Sequence, residues 1–222
     1  MTARLRLSRE LVERLPSRVD ERGPVRVPDP PPEYYPETAT RLIDAVPPGE
    51  GLWVFAAGSL IWNPRFEEVE RRAAMVHGWR RAFCYHDARM RGSPKTPGRM
   101  LSLDRGGACG GFVIRMAPDG LEDRLVALLK TEPPVPPKWV RAESEDGAVR
   151  AIAFTASPDF PLYDPEPPLE ELADTLAAAV GHLGSMAEYI LNTVLHLDQA
   201  GIHDPHLWQV QDLVAERLER LG

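Results

Sequence analysis

The stretch LWVFAAGSLIWNP, Leu52 to Pro64, joins two apolar runs across a Gly58-Ser59 step. Trp53, Val54 and Phe55 are the aromatic and β-branched residues of a buried strand. Gly58 and Ser59 interrupt that strand, and Leu60, Ile61 and Trp62 resume the apolar run at once. Such a break is either an ordinary turn between core elements or a backbone cradle for a ligand. The rest of the chain has to separate the two.

On the N-terminal side, Pro47-Pro48-Gly49 leads into the strand from a short helix expected around Ala39 to Ala45. Before it, Pro16 to Pro36 is rich in proline and charge, including PDPPPEYYP, and reads as an extended arm. Residues 7 to 15 read as a short helix with Leu7, Leu11 and Leu15 on one face and Ser8 as its cap. The expected division is therefore an N-terminal helix and proline-rich arm over 1–50, and a single domain over 51–222.

On the C-terminal side, the middle of the chain reads as sheet. AAMVHGWRRAFCY (Ala73 to Tyr85) suits one long bent strand, and RMLSLD and CGGFVIRM are separated by RGGA in a hairpin-like arrangement. KWVRAES and AVRAIAF flank Asp146-Gly147, a two-residue turn signal. Between these pairs Leu121, Leu125 and Leu128 recur at helical spacing. The last third is helical. Leu169, Leu172, Leu176 and Val180 mark one face, and Ser185 with Glu188 has capping-box spacing. Gly201 stands at a stop position, and Asp204-Pro205 opens a final helix with Leu207, Val210, Val214 and Leu218 inward. Strands followed by gathered helices indicate an α+β fold built on a small barrel.

A chain of 222 residues can bury a sizeable core. Its net charge of −7 argues against a nucleic-acid partner, which needs a basic face. Arg71, Arg72, Arg80 and Arg81 read as a solvated charged face. Cys84 and Cys109 are too few for a disulfide framework. The N-terminus has no apolar run of signal-peptide length, and no segment approaches the roughly 18 apolar residues of a membrane span. A reducing, cytoplasmic location without a membrane partner is expected.

Several motifs for chemistry fail on spacing. His196, His203 and His206, even with Asp198 and Asp204, lack the HExxH pattern of a zinc site and read as surface or capping residues. GGACGG lacks the P-loop lysine and reads as a turn. Ser59 is not in a GxSxG elbow. Cys84 and His86 would share a face of one strand, which permits reactivity, but core packing is the stronger reading for Cys84.

Glu132 is the unusual position. In LLKTEPPVPPKW it ends an apolar-faced helix and is followed by four prolines in five positions. A residue before proline is pushed out of helical geometry, so Glu132 should stand at a stiff helix-to-strand junction. Desolvation on such a corner raises a carboxyl pKa, which suits a general base. A solvent-exposed helix-end glutamate is the competing reading.

Taken together, LWVFAAGSLIWNPRF, then FCYHDARMRGSPKTPGRMLSLDRGGACGGFVIRM, then LLKTE, then GHLGSMAEYILNTVLHLDQAGIHD resemble the ChaC-like gamma-glutamylcyclotransferases, in order and over about Leu52 to Leu213. The resemblance implies a gamma-glutamylcyclotransferase-like small mixed β-barrel with surrounding helices. It implies a lyase of glutathione degradation that cleaves glutathione, or another gamma-glutamyl amide, to 5-oxoproline and the released amine, with no cofactor and no metal. It places Glu132 as the catalytic acid/base and Ala57, Gly58, Ser59 and Leu60 at the substrate. Ala57 stands where the family carries tyrosine in YGSL, so a non-catalytic or substrate-shifted relative binding a gamma-glutamyl-type ligand, and a different amide-cleaving enzyme using Glu132, remain beside this reading.

Overall fold

A computed structural model describes residues 5–221. Its described residues form two compact units. One comprises 27–80 and 103–157, and the other takes in residues up to 26, 81–102 and 158 onward. Two long strands, β2 (Glu68–Asp87) and β3 (Gly98–Met116), contribute residues to both.

The first unit carries a closed barrel in the order β1-β3-β2-β4-β5, with β1 at Trp53–Ala56, β4 at Lys138–Ser144 and β5 at Gly147–Ala153. β1 pairs antiparallel with β3, Trp53 opposite Arg115, and parallel with β5, Trp53 opposite Ala151. Alternate strand residues converge on one apolar cluster of Trp53, Phe55, Ala57, Ala74, Val76, Val113, Val140, Ala142, Ala151 and Ala153. The many alanines are what a narrow barrel can hold between its aromatic residues. Val54 and Ile114, on the other face, are also buried. Burial on both faces explains why β1 reads as a continuous apolar run rather than an alternating one. Helix α2 (Tyr34–Asp44) packs on α3 (Leu121–Leu129).

The second unit is mainly helical. α1 (Arg9–Val12), α4 (Leu169–Ala178), α5 (Met186–Gln199) and α6 (Pro205–Glu219) pack together. A two-residue pair, β6 (Val180–Gly181) and β7 (Gly184–Ser185), precedes α5. The caps read from the sequence form: Ser8 accepts from Leu11 N–H, Ser185 from Glu188 N–H and Asp204 from Leu207 N–H. The first part of the proline-rich arm lies along this unit, Val19 N–H donating to Gly181 O and Gly23 N–H to Ala88 O.

Several expectations need correction. RGGA does not turn a hairpin, and GGACGG is not a turn between strands: β3 runs unbroken from Gly98 to Met116. Gly106 and Gly107 take φ of 101° and 68°, so they bend one strand instead of reversing it. The β4–β5 turn is Glu145-Asp146, with Gly147 at φ 107° opening β5, one residue earlier than expected. The helix expected around Ala39 starts at Tyr34, because Pro36 falls in the first turn, where a missing N–H costs nothing. The arginine cluster is a solvated face only in part, since Arg80 is exposed but its neighbours are not. Arg81 is 3% exposed and paired with Asp204, while Arg71 and Arg72 pair with Glu68 and Glu70.

Candidate active site

In the barrel unit, β1 ends at Ala56 and the chain turns through a single 3-10 turn, Ser59–Ile61. Ile61 N–H bonds Gly58 O at 2.9 Å and Asn63 N–H bonds Ser59 O at 2.8 Å. The first N–H groups of such a turn point away from its own carbonyls, which leaves them directed at whatever lies beyond. Arg71 ties the turn from behind, its Nη1 donating to Ile61 O at 2.6 Å. The expected substrate-contact residues therefore divide. Gly58 and Ser59 keep surface, Leu60 is buried, and Ala57 lies in the barrel's apolar cluster beside Phe55.

Glu132 stands just beyond α3, where Leu128 and Leu129 bury the helix end and Pro133 and Pro134 stop it. Thr131 Oγ1 closes the last turn by donating to Leu128 O at 2.8 Å. Glu132 is half-buried. It keeps a face to meet a substrate, yet protein crowds the carboxyl enough that burial pushes it up to about 7, against the opposing pull of Arg65. Near neutral pH such a group is divided between acid and base, so it can take a proton and return it.

Arg65 is the residue that sequence reasoning missed. It follows Asn63-Pro64, a turn-forming dipeptide, but nothing in that signal tells what the next side chain does. The residues weighed as metal ligands have other partners. His196 Nδ1 meets Asn192 O at 2.8 Å, His206 Nε2 meets Glu166 at 3.1 Å, and the His203 ring packs on Trp208. Cys84 is fully buried between Phe83 and Tyr85 in β2.

A small α+β barrel with a turn at the end of β1 and a carboxyl of raised pKa on a proline-stiffened corner is the architecture these residues define. The chain belongs to the ChaC-like protein family, whose match spans residues 52–217. It is 37% identical over 165 residues to the glutathione-specific gamma-glutamylcyclotransferase of Escherichia coli (strain K12), covering 72% of this chain and 71% of the relative. It is 30% identical over 179 residues to glutathione-specific gamma-glutamylcyclotransferase 1 of Mus musculus, covering 76% and 80%. In fold it is similar to a crystal structure of the yeast gamma-glutamyl cyclotransferase specific to glutathione, with TM-score 0.70 and 19% identity over 76% of this chain and 97% of that one. No helix among the described residues is long and apolar enough to cross a membrane.

Proposed function

We infer that this chain is a gamma-glutamylcyclotransferase that cleaves glutathione to 5-oxoproline and cysteinylglycine. Family membership over most of the chain and the names of its relatives support the reaction. The observation that carries the site is a carboxyl pushed up to about 7 on a stiff corner of the barrel unit. A non-catalytic binder or a different amide-cleaving enzyme is not favoured, since these relatives are enzymes of this one activity by name.

The chemistry is an internal transfer. The α-amine of the gamma-glutamyl group attacks its own side-chain carbonyl, the new C–N bond closes a five-membered lactam, and the old amide C–N bond breaks. Glu132, as carboxylate, takes the proton from the amine and returns it to the departing amine of cysteinylglycine. The chain must hold amine and carbonyl together, a proximity effect worth up to roughly 7–11 kcal/mol. The N–H groups of Gly58, Ser59 and Leu60 are the donors we assign to the developing oxyanion. Ala57, behind them, is assigned the role of seating this cradle on the barrel core. We place the enzyme in a reducing, cytoplasmic compartment, which the buried thiols of Cys84 and Cys109 support. We also retain residues 51–222 as the functional domain and the preceding arm as an appendage.

The test is to incubate purified protein with glutathione and a panel of gamma-glutamyl amines and to assay 5-oxoproline. Release from glutathione is expected; no product across the panel overturns the reading.

A further inference from the structure

Lys138 opens β4 on the strand face that points into the barrel, since Val140 and Ala142, at the same parity, lie in its apolar cluster. The register fixes its height. Lys138 stands opposite Ala153 on β5, and Ala153 stands opposite Phe55 on β1, three residues before Gly58. Two strand spacings, about 10 Å, therefore separate the backbone of Lys138 from that of Phe55. Arg105 on β3 reaches the same end of the barrel. Leu103, two residues before it, bridges Thr155, two residues past Ala153, and Leu103 O accepts from Ala156 N–H at 2.7 Å.

Trp79 joins the two cations. It packs against the cluster that contains Phe55, Ala57 and Ala153. Lys138 Nζ lies 5.4 Å from the centroid of its ring and Arg105 Cζ 5.2 Å. Arg71, Arg72, Arg115 and Arg124 of the same unit are each paired with a glutamate. Lys138 and Arg105 are exposed and have no carboxylate within ion-pairing distance among the described residues; the side chain of Asp104 pairs with Arg80 instead. An aromatic face holds a cation in place without neutralising it, so both keep their donors for a carboxylate from outside.

We propose that Lys138 and Arg105, held on Trp79, receive the glycyl carboxylate of glutathione, which makes them specificity-determining residues for the tripeptide. This rests on the cyclotransferase reading above, in which the carbonyl under attack lies at the Gly58–Leu60 cradle. The glycyl carboxylate ends the chain two residues beyond that carbonyl, about 7 Å away when extended. Two long cationic side chains rooted about 10 Å across the strands from β1 span that distance. The α-carboxylate belongs to the ring that closes and stays beside the cradle.

The test is a cycle between residue and substrate in the full chain. kcat and KM are measured for glutathione, for its glycyl carboxamide and for its gamma-glutamyl α-carboxamide, with wild type, Lys138→Met, Arg105→Met and the double variant. Methionine keeps an unbranched stem for the indole and removes the charge. Both positions are exposed, so the melting temperatures of the variants should stay close to that of wild type. Charge-assisted hydrogen bonds to a carboxylate predict that wild type favours glutathione over the glycyl carboxamide by about 10- to 100-fold in kcat/KM. Each single variant should cut that preference, and the double variant should bring it near parity. A preference that survives in the double variant, or a wild type without one, overturns the proposal. A fall of equal factor on all three substrates also overturns it, since a structural role of the stack would act on each alike. Coupling to the α-carboxamide instead overturns the choice of carboxylate. A wild type that releases 5-oxoproline while these couplings fail leaves the cyclotransferase reading standing; one that releases none from glutathione overturns both.

Discussion

Arg65 supplies the positive charge that opposes burial at Glu132, and burial prevails: the carboxyl is pushed up to about 7. The balance follows from placement. Desolvation acts on the whole carboxyl, whereas the exposed guanidinium acts partly through solvent. A catalytic carboxylate then has to lose its proton to begin the reaction. We therefore expect kcat/KM for glutathione to rise with pH through an acid limb near 7, well above the usual glutamate range. A limb near 4.5 would remove Glu132 from the role of base.

Glu132→Gln keeps the shape of the side chain and removes its proton exchange. Positioned acid–base groups contribute roughly 10²–10⁴-fold, so kcat should fall by that order while KM for glutathione stays within a few-fold. Steady-state 5-oxoproline release checks this. Full activity in Glu132→Gln would place the base elsewhere.

The same carboxyl sets a pH dependence of stability. The folded pKa is raised from 4.5 to about 7, so between those values the folded chain binds more protons than the unfolded one. Stability falls as pH rises through that window, and the full cost is present above it. The cost is at most about 3 kcal/mol, less as far as solvent reaches the half-buried residue. Urea denaturation should show Glu132→Gln more stable than wild type at pH 8 and equal to it below pH 4.5. Equal stabilities at both pH values would mean that the carboxyl is not desolvated.

What was legible in the sequence follows the range of the forces involved. β1, α3 and the caps of α5 and α6 are fixed by rules acting over a few neighbours and stand where those rules put them, and the β4–β5 hairpin forms as read with its turn one residue earlier. Glu132 was legible for the same reason: a helix end followed by prolines is a local statement. β3 was misread because a glycine pair signals a bulge as readily as a turn, and only the partner strands decide. The pairing of Arg81 is with Asp204, 123 residues away. The conformation of Arg65, at φ 61°, depends on pins at Ile61 and Glu67 that come from Arg71 and Ala117. No neighbour of Arg65 announces either.

Gly111 lies against β1 just before the cradle. A Cβ there would meet the Ala56 carbonyl and the Phe55 ring. Backbone cannot yield as a flexible side chain does, so Gly111→Ala should cost about 1–3 kcal/mol by overpacking. Because Ala56 is two residues from Gly58, the displacement should also lower kcat/KM for glutathione. A variant that is destabilised with unchanged kcat/KM would separate this strand from the proposed oxyanion donors.

Asp87 holds the loop that follows β2. Its carboxylate is buried and accepts four backbone N–H groups, from Arg89, Met90, Arg91 and Gly92, at 2.8–3.1 Å. Four donors converging on one anion need both oxygens as acceptors. Asp87→Asn leaves one oxygen and turns an amide toward N–H groups that can only repel it. The expected loss is on the order of 2–3 kcal/mol, from unsatisfied buried donors and the missing charge. It should be accompanied by amide exchange that is faster than in wild type at residues 89–92 and little changed in β2. Exchange that stays slow at those four amides in Asp87→Asn would show that the loop is held by its other ties, the bond from Arg91 Nη1 to Ser185 O and the contact of His182 with Arg89 O, rather than by the carboxylate.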